Sequence, residues 1–318
     1  MAANISESKI ADTNEWAQLI EDAITKNYIN YHDYNEFQNL QHIGSGVFGK
    51  VYRATWESQE TVVALKSFEF NNHVTKEIFN EVQLLRKVNF HEYIIRFFGI
   101  TKGKYNEKNI IILEYADSST LRNYLKNNFY KLDWNIKLQF AIQIASAVSY
   151  IHQNDIIHRN LHSKNILIHQ NTIKLTGFGL TCRIPAEGSS NNYIFGMLPY
   201  IDPQYFKKKT NNNNYKASKK SDVYSVGVLL WEISSGQKPF KSYDVPYQKP
   251  RLILEILNGK RETPVSGTPI DYINTYTECW RDNPDDKPSI QQVVSNLKLI
   301  NLNANIKIYE SINENWWK

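Results

Sequence analysis

The chain has 318 residues, of which 42% are hydrophobic and 13% aromatic, enough apolar surface to bury a sizeable core, which excludes collagen-like, coiled-coil and disordered classes. With 37 basic against 32 acidic residues the net charge is +5, and much of the excess sits in Lys207, Lys208, Lys209, Lys216, Lys219 and Lys220. Such a run reads as a solvated loop rather than as a nucleic-acid or lipid contact. Two cysteines, Cys182 and Cys279, make no disulfide framework and fit a reducing compartment, so the cytosol is expected. The first 30 residues lack the basic start, apolar stretch and cleavage site of a secretory signal. The apolar run from Val223 to Trp231 falls well short of the roughly 20 residues a bilayer needs, and no internal repeat is present.

In chain order, residues 14 to 28 place Trp16, Leu19, Ile20, Ala23 and Ile24 at helical spacing, predicting a short one-sided helix that docks on the main body. From Gln41 to Phe70 the pattern changes to short strands: QHIGSG, KVYRATW, a turn at ESQE, then TVVALKSF. Alternation along the last strand puts Val62, Ala64 and Lys66 on one face and Val63 and Leu65 on the other. Residues 75 to 88 predict a helix with Ile78, Val82 and Leu85 on one stripe and Glu81 on a neighbouring line, so that an acid can face the sheet. Asn109 to Tyr115 reads as a buried strand, after which the composition turns helical, marking a boundary near Glu114. Asp133 is the expected N-cap of a helix over residues 134 to 152, and Asp222 to Ser235 an apolar helix closed by Gly236. The stretch TNNNNY, residues 210 to 215, favours local side-chain to backbone bonds and reads as an exposed insertion.

The chemistry starts at Gly44, Gly46 and Gly49, a G-x-G-x-x-G pattern containing Ser45 and followed by Val51. Alone this is a weak signal, because tight turns also need glycine. Here, however, the glycines join two strands rather than a strand and a helix, and such a hairpin flap can lay backbone N–H groups over phosphates. A lysine in V-A-L-K, Lys66, and then a helical Glu81 follow. That order fits a cation held by an acid so that it can grip phosphate oxygens, with a structural salt bridge as the alternative. Downstream come HRNLHSKNIL (158–167), KLTGFGL (174–180) and SDVYSVGVLLWE (221–232).

With these six ordered motifs the chain resembles the eukaryotic protein kinase family, most closely its tyrosine-kinase-like group, over about residues 38 to 300. The resemblance implies an α+β, two-lobed fold. Residues 1–37 would be an N-terminal helical extension, 38–113 a small lobe with an antiparallel sheet and one helix, 114–300 a larger helical lobe carrying the insertion at 210–215, and 301–318 a tail. It also implies a bound ATP. Gly44 to Val51 would cover the nucleotide, Lys66 would meet its α- and β-phosphates, and Glu81 would lock Lys66. Leu113 would be the gatekeeper, Glu114, Tyr115 and Ala116 the hinge, and Val51, Ala64 and Leu167 the walls around adenine. Leu85, Phe97, His158 and Phe178 match the family's regulatory spine, and Asp222 would hold the backbone from His158 to Asn160.

Two departures fall on the chemistry. Asn160 stands where the family has the aspartate of H-R-D, and Gly177 where it has the aspartate of D-F-G. An asparagine amide can orient a hydroxyl but has no carboxylate to take its proton. Glycine offers Mg²⁺ no side-chain oxygen, which leaves the neutral Asn165 as the remaining ligand of the pattern and makes magnesium binding weak or absent. Lys164 matches the basic residue that tyrosine-kinase-like members keep for the transferring phosphate, and it softens the loss.

Two lesser departures, Gln204 for the glutamate of A-P-E and Lys287 for its partner arginine, predict a lysine-to-amide contact and a loosely held substrate-binding segment, and point to natural degeneracy. The expectation is a catalytically impaired kinase-like module that signals through conformation and a protein partner, such as an active kinase. The alternative is a weak or metal-independent ATP:protein phosphotransferase using Lys66, Lys164 and Asn165. Ser189, Ser190 and Tyr193 lie where activation-loop phosphorylation would occur, with Arg159 able to receive a phosphate, though loop polarity explains them as well. Cys182 reads as a plain loop cysteine, and Trp316 and Trp317 join the helix of residues 14 to 28 as candidate docking surfaces whose plainer use is packing.

Overall fold

β-branched and aromatic residues alternate through the first third of the chain, and in the computed structural model this pattern becomes a five-stranded sheet. The structure describes residues 18–46, 49–68, 74–103, 109–178, 197–210 and 217–300. Strands β1 (Phe37–Gly46), β2 (Gly49–Trp56), β3 (Thr61–Phe68), β4 (Phe97–Lys102) and β5 (Asn109–Glu114) lie in the order β1-β2-β3-β5-β4, with every neighbouring pair antiparallel. The alternation along β3 holds: Val63 and Leu65 join Phe37, Ala54, Trp56, Ile110 and Ile112 in one cluster, while Ala64 and Lys66 belong to the opposite face.

Helix α1, residues 18–25, buries Ile20 and stops where Asn27 turns left-handed at φ 55°. It ends at residue 25 rather than 28, and the chain beyond it runs along β4 instead. Helix α2 (Val74–Val88) buries Glu81, Val82, Leu85 and Val88. Together these elements make one compact unit, which extends to Asp117 and also takes in the stretch beginning at Thr176.

The second unit spans Ser118–Leu175 and the described residues from Met197 onward. It contains α3 (Leu121–Asn128), α4 (Trp134–Gln153), the hairpin β6 (Ile166–His169) and β7 (Thr172–Leu175), α5 (Pro203–Thr210), α6 (Lys219–Ser235), α7 (Lys249–Leu257), α8 (Ile270–Cys279) and a last helix α9 over 290–300. As its sequence position requires, the Asp133 carboxylate accepts from the Ile136 N–H at 2.9 Å and caps α4. Helix α6 starts three residues before the expected Asp222 because Ser218 and Ser221 form a reciprocal cap, and it ends at Gly236 with φ 68°. From Asp222 to Ser235 every residue of α6 is buried, so this helix is the axis of the unit's core.

Among the described residues no helix is long and apolar enough to cross a membrane. The lysine run is partly consumed locally: Lys219 pairs with Asp155 at 2.9 Å, Lys220 donates to the Lys287 carbonyl, and Lys207 lies 4.0 Å from Asp282. Trp16, Cys182, Ser189, Ser190, Tyr193, the asparagines of the insertion, Lys216, Trp316 and Trp317 lie outside the described residues, as do the side chains of Ile78, Lys208 and Lys209.

Candidate active-site residues

Strand β3 presents Lys66 toward α2, whose register brings Glu81 opposite. The Lys66 Nζ donates to both carboxylate oxygens of Glu81 at 2.7 Å, with Glu81 1% exposed. The ammonium also stands 5.1 Å from the centre of the Phe68 ring. A carboxylate this deeply buried needs a cation, so the pair fixes α2 and β3 against each other. Pairing of β2 and β3 sets Val51 beside Lys66, and pairing of β3 and β5 sets Ala64 beside Leu113 and Val63 beside Glu114. Leu113 and Ala64 are buried, whereas Val51, Glu114, Tyr115 and Ala116 are half-buried.

The glycines of the β1–β2 hairpin divide by cause. At Gly49, φ is 157° and a Cβ would lie 1.8 Å from the Ser67 carbonyl oxygen, so the sheet itself demands glycine. At Gly44 a Cβ would meet nothing within 4 Å. The fold leaves that position open. Ser45 is exposed and bonds the His42 ring at 2.9 Å. Beyond β7, Gly177 has φ 87° and the next residue, Phe178, is buried, as are Leu85 and Phe97 of the same unit.

In the second unit the loop from His158 to Asn165 is shaped by Asp222 of α6. One Asp222 oxygen accepts the Arg159 N–H at 2.9 Å, and the other accepts the His158 N–H and bonds the His152 ring, both at 2.8 Å. Arg159 is thereby held at φ 65°, a conformation that costs a side-chain-bearing residue about 1 kcal/mol. The Asn165 amide donates to the Asn160 carbonyl at 2.9 Å, which orients Asn165 with its oxygen turned away from that bond. Asn160 and His158 are buried, Lys164 is exposed and Leu167, on β6, is half-buried. Burial draws the His162 imidazole down to about 3, so the ring is neutral.

Four residues that carry this loop were not singled out from the sequence. Arg122 of α3 meets Glu232 at 2.6 Å and Ser163 at 3.0 Å, and donates to the Tyr200 hydroxyl at 2.5 Å, which in turn donates to Glu232. Burial pushes Glu232 above the usual carboxylate range, opposed by the Arg122 guanidinium, and pushes the Tyr200 phenol well up. The available signal was a lone glutamate at the end of an apolar helix, which must find a partner when buried.

The expectation for Gln204 and Lys287 is corrected. Lys287 does not rest on an amide: its Nζ pairs with the Asp202 carboxylate at 2.5 Å, with side chains 0% and 2% exposed. Asp202 sits just before α5, where its other oxygen accepts the Gln204 N–H at 3.0 Å, and the Gln204 side chain donates to the Asp282 carbonyl at 2.8 Å. The acid has moved two residues along the chain, and the segment is anchored by an ion pair rather than held loosely.

For a divalent cation, the positions implied by the resemblance offer one amide oxygen, from Asn165, and no carboxylate. That donor set does not suit a hard cation that prefers several oxygens with charge among them. Among the described residues no group of three or more His, Cys, Asp or Glu could hold a metal.

The family described as protein tyrosine and serine/threonine kinase matches residues 37–297. Dual specificity protein kinase splA of Dictyostelium discoideum is 31% identical over 288 residues, 84% of this chain and 12% of that protein. The human cytoplasmic tyrosine-protein kinase BMX is 27% identical over 83% of this chain and 37% of its own length. A Drosophila melanogaster protein, putative mitogen-activated protein kinase kinase kinase 7-like, is 30% identical over 79% of this chain and 63% of its own. The chain thus spans about an eighth of splA and under two thirds of the other two. A five-stranded antiparallel sheet with its Lys66–Glu81 pair, a helical unit built on α6, and a match over residues 37–297 place this chain in the protein kinase family, among relatives that include tyrosine-kinase-like members.

Proposed function

We propose that the chain is a kinase-fold module that binds ATP, transfers phosphate weakly or not at all, and acts in cytosolic signalling through its conformation and a protein partner. The observation that carries this reading is a contrast. The grip for phosphates is intact, with Lys66 bonded to both oxygens of Glu81, while Asn160 and Gly177 supply no carboxylate.

Each chain residue has a definable part. Lys66 is the cation for phosphate oxygens, and the open space at Gly44 admits a nucleotide beneath the hairpin backbone. Ser45, Gly46, Gly49, Val51, Ala64, Leu113, Glu114, Ala116 and Leu167 would complete the cradle. Asn160 can accept a hydrogen bond from a hydroxyl, and Lys164 offers an exposed cation. With no carboxylate to take the proton, general-base assistance of about 10²- to 10⁴-fold is missing. Charge stabilisation, usually the larger contribution, is reduced to lysines. In the family a magnesium ion supplies that charge. The donor set here disfavours it.

Thermal shift with ATP, with and without EDTA, tests nucleotide binding. ATP at 100 times its dissociation constant should stabilise the fold by about 2.7 kcal/mol in both conditions. No shift in either leaves a scaffold only, and a shift abolished by EDTA restores the metal. Transfer of radiolabelled phosphate to a generic substrate, compared with the double reversion Asn160→Asp and Gly177→Asp, tests catalysis. Turnover within about tenfold of the revertant would establish the weak phosphotransferase that uses Lys66, Lys164 and Asn165 instead.

A further inference from the structure

We infer that residues 28–36 form a strap that positions Glu81, by tying helix α2 to the β4 edge of the sheet and to the β2–β3 hairpin. The inference rests on the reading of Lys66 and Glu81 as the nucleotide grip.

The strap runs as a parallel partner of β4: Tyr31 bridges Ile100, the Ile100 N–H donates to the Asn30 carbonyl at 2.9 Å, and the His32 N–H donates to the Ile100 carbonyl at 3.0 Å. Its approach is close enough that a Cβ on Gly99, where φ is 151°, would lie 2.3 Å from the Asn30 oxygen. Glycine at 99 is therefore explained by the strap. Beyond β4 the strap reaches both neighbours. On one side, Glu36 accepts from the Trp56 indole at 2.9 Å and from the Ser58 hydroxyl, and His32 meets Trp56 edge-on at 4.6 Å. On the other side, Arg86 of α2 lies 5.9 Å from the centre of the Tyr28 ring, a cation–π contact.

A second tie closes the loop. Asn89, just past α2, accepts from the Phe97 N–H at 2.6 Å and donates to the Phe97 carbonyl at 2.8 Å, clamping the start of β4. Helix α2 is thus fastened to β4 directly through Asn89 and indirectly through Tyr28 and Asn30. Glu81 sits between one and two turns before Arg86 on the same helix, so a rotation that broke the Lys66 pair would also pull on Arg86. Tyr28 is 60% exposed, which makes its contribution positional rather than one of core burial.

The test uses the full 318-residue chain with a fluorescent ATP analogue, and hydrogen exchange of the amides of residues 79–88 without nucleotide. Tyr28→Ala should weaken the analogue about two- to fivefold and speed exchange by a similar factor, the size of one exposed cation–π contact. Tyr28→Phe should restore both, Arg86→Ala should match Tyr28→Ala, and the two together should add no further loss. In a Glu81→Gln chain, Tyr28→Ala should change affinity no more. Unchanged exchange in Tyr28→Ala, or an additive affinity loss in the Glu81→Gln chain, overturns the strap. Faster exchange in a chain that binds no nucleotide upholds the strap and removes the nucleotide reading alone.

Discussion

At Gln204 the kinase pattern has lost a glutamate, yet the buried cation it should face, Lys287, still has a carboxylate, because Asp202 supplies one from two residues earlier. At Asn160 and Gly177 the resemblance implies the loss of two aspartates, and the stretches 158–167 and 174–180 contain no Asp or Glu that could replace them. The difference follows from what each acid does. An unpaired charge inside the second unit would destabilise the fold by several kcal/mol, so loss of one partner is sustainable only with a substitute nearby. A missing catalytic acid leaves no buried charge behind. Gly177, at φ 87°, even relieves strain that an aspartate would bear there. On the function proposed above, the chain would keep what folding requires and let go what only chemistry requires.

The largest effect should come from reopening the repaired anchor. Asp202→Asn leaves Lys287 buried without its charge partner and should lower stability by about 3–5 kcal/mol, read as a lower urea midpoint at constant slope. Adding Gln204→Glu and Lys287→Arg to Asp202→Ala should bring the midpoint back to within about 1 kcal/mol of wild type, because an acid then stands at the family position. Failure of that triple variant to recover would mean the register of the pair is fixed by more than the pair.

On the unrepaired side, Asn160→Asp with Gly177→Asp should raise phosphate transfer about a hundredfold or more while lowering stability by about 1–2 kcal/mol, the reverse of the anchor variants. A revertant that gains stability as well would break the comparison. The smallest effects separate fold from ligand within one hairpin. Gly49→Ala should destabilise by about 1–3 kcal/mol, since its Cβ has no room. Gly44→Ala should change stability by under about 0.5 kcal/mol and still weaken ATP, measured by the nucleotide-dependent thermal shift. Equal stability losses at both glycines would remove the argument that Gly44 is open for a ligand.

The elements whose cause is local were legible in the sequence. Asp133 caps α4 and Gly236 closes α6 because caps depend on a few adjacent residues, and the alternation along β3 set the facing of Lys66 without any knowledge of its neighbours. What stayed hidden is pairing across long separations. Asp202 and Lys287 are 85 residues apart and Arg122 and Tyr200 are 78 apart. A family pattern predicted the wrong partner for Lys287, since it fixes positions and not which acid reaches them. The strap stayed hidden for a different, local reason: helical spacing runs to residue 28 in the sequence, although Asn27 at φ 55° ends the helix and sends the chain along β4.

One carboxylate, Asp222, gathers the His152 ring and two successive backbone N–H groups, those of His158 and Arg159. Two oxygens serving three donors make a mould that an isosteric amide could not copy, because one of its two ends would present hydrogens to hydrogens. The bend ahead of Asn160 is therefore dictated from a helix far along the chain. Loss of Asp222 would unseat the loop from 64 residues away along the chain.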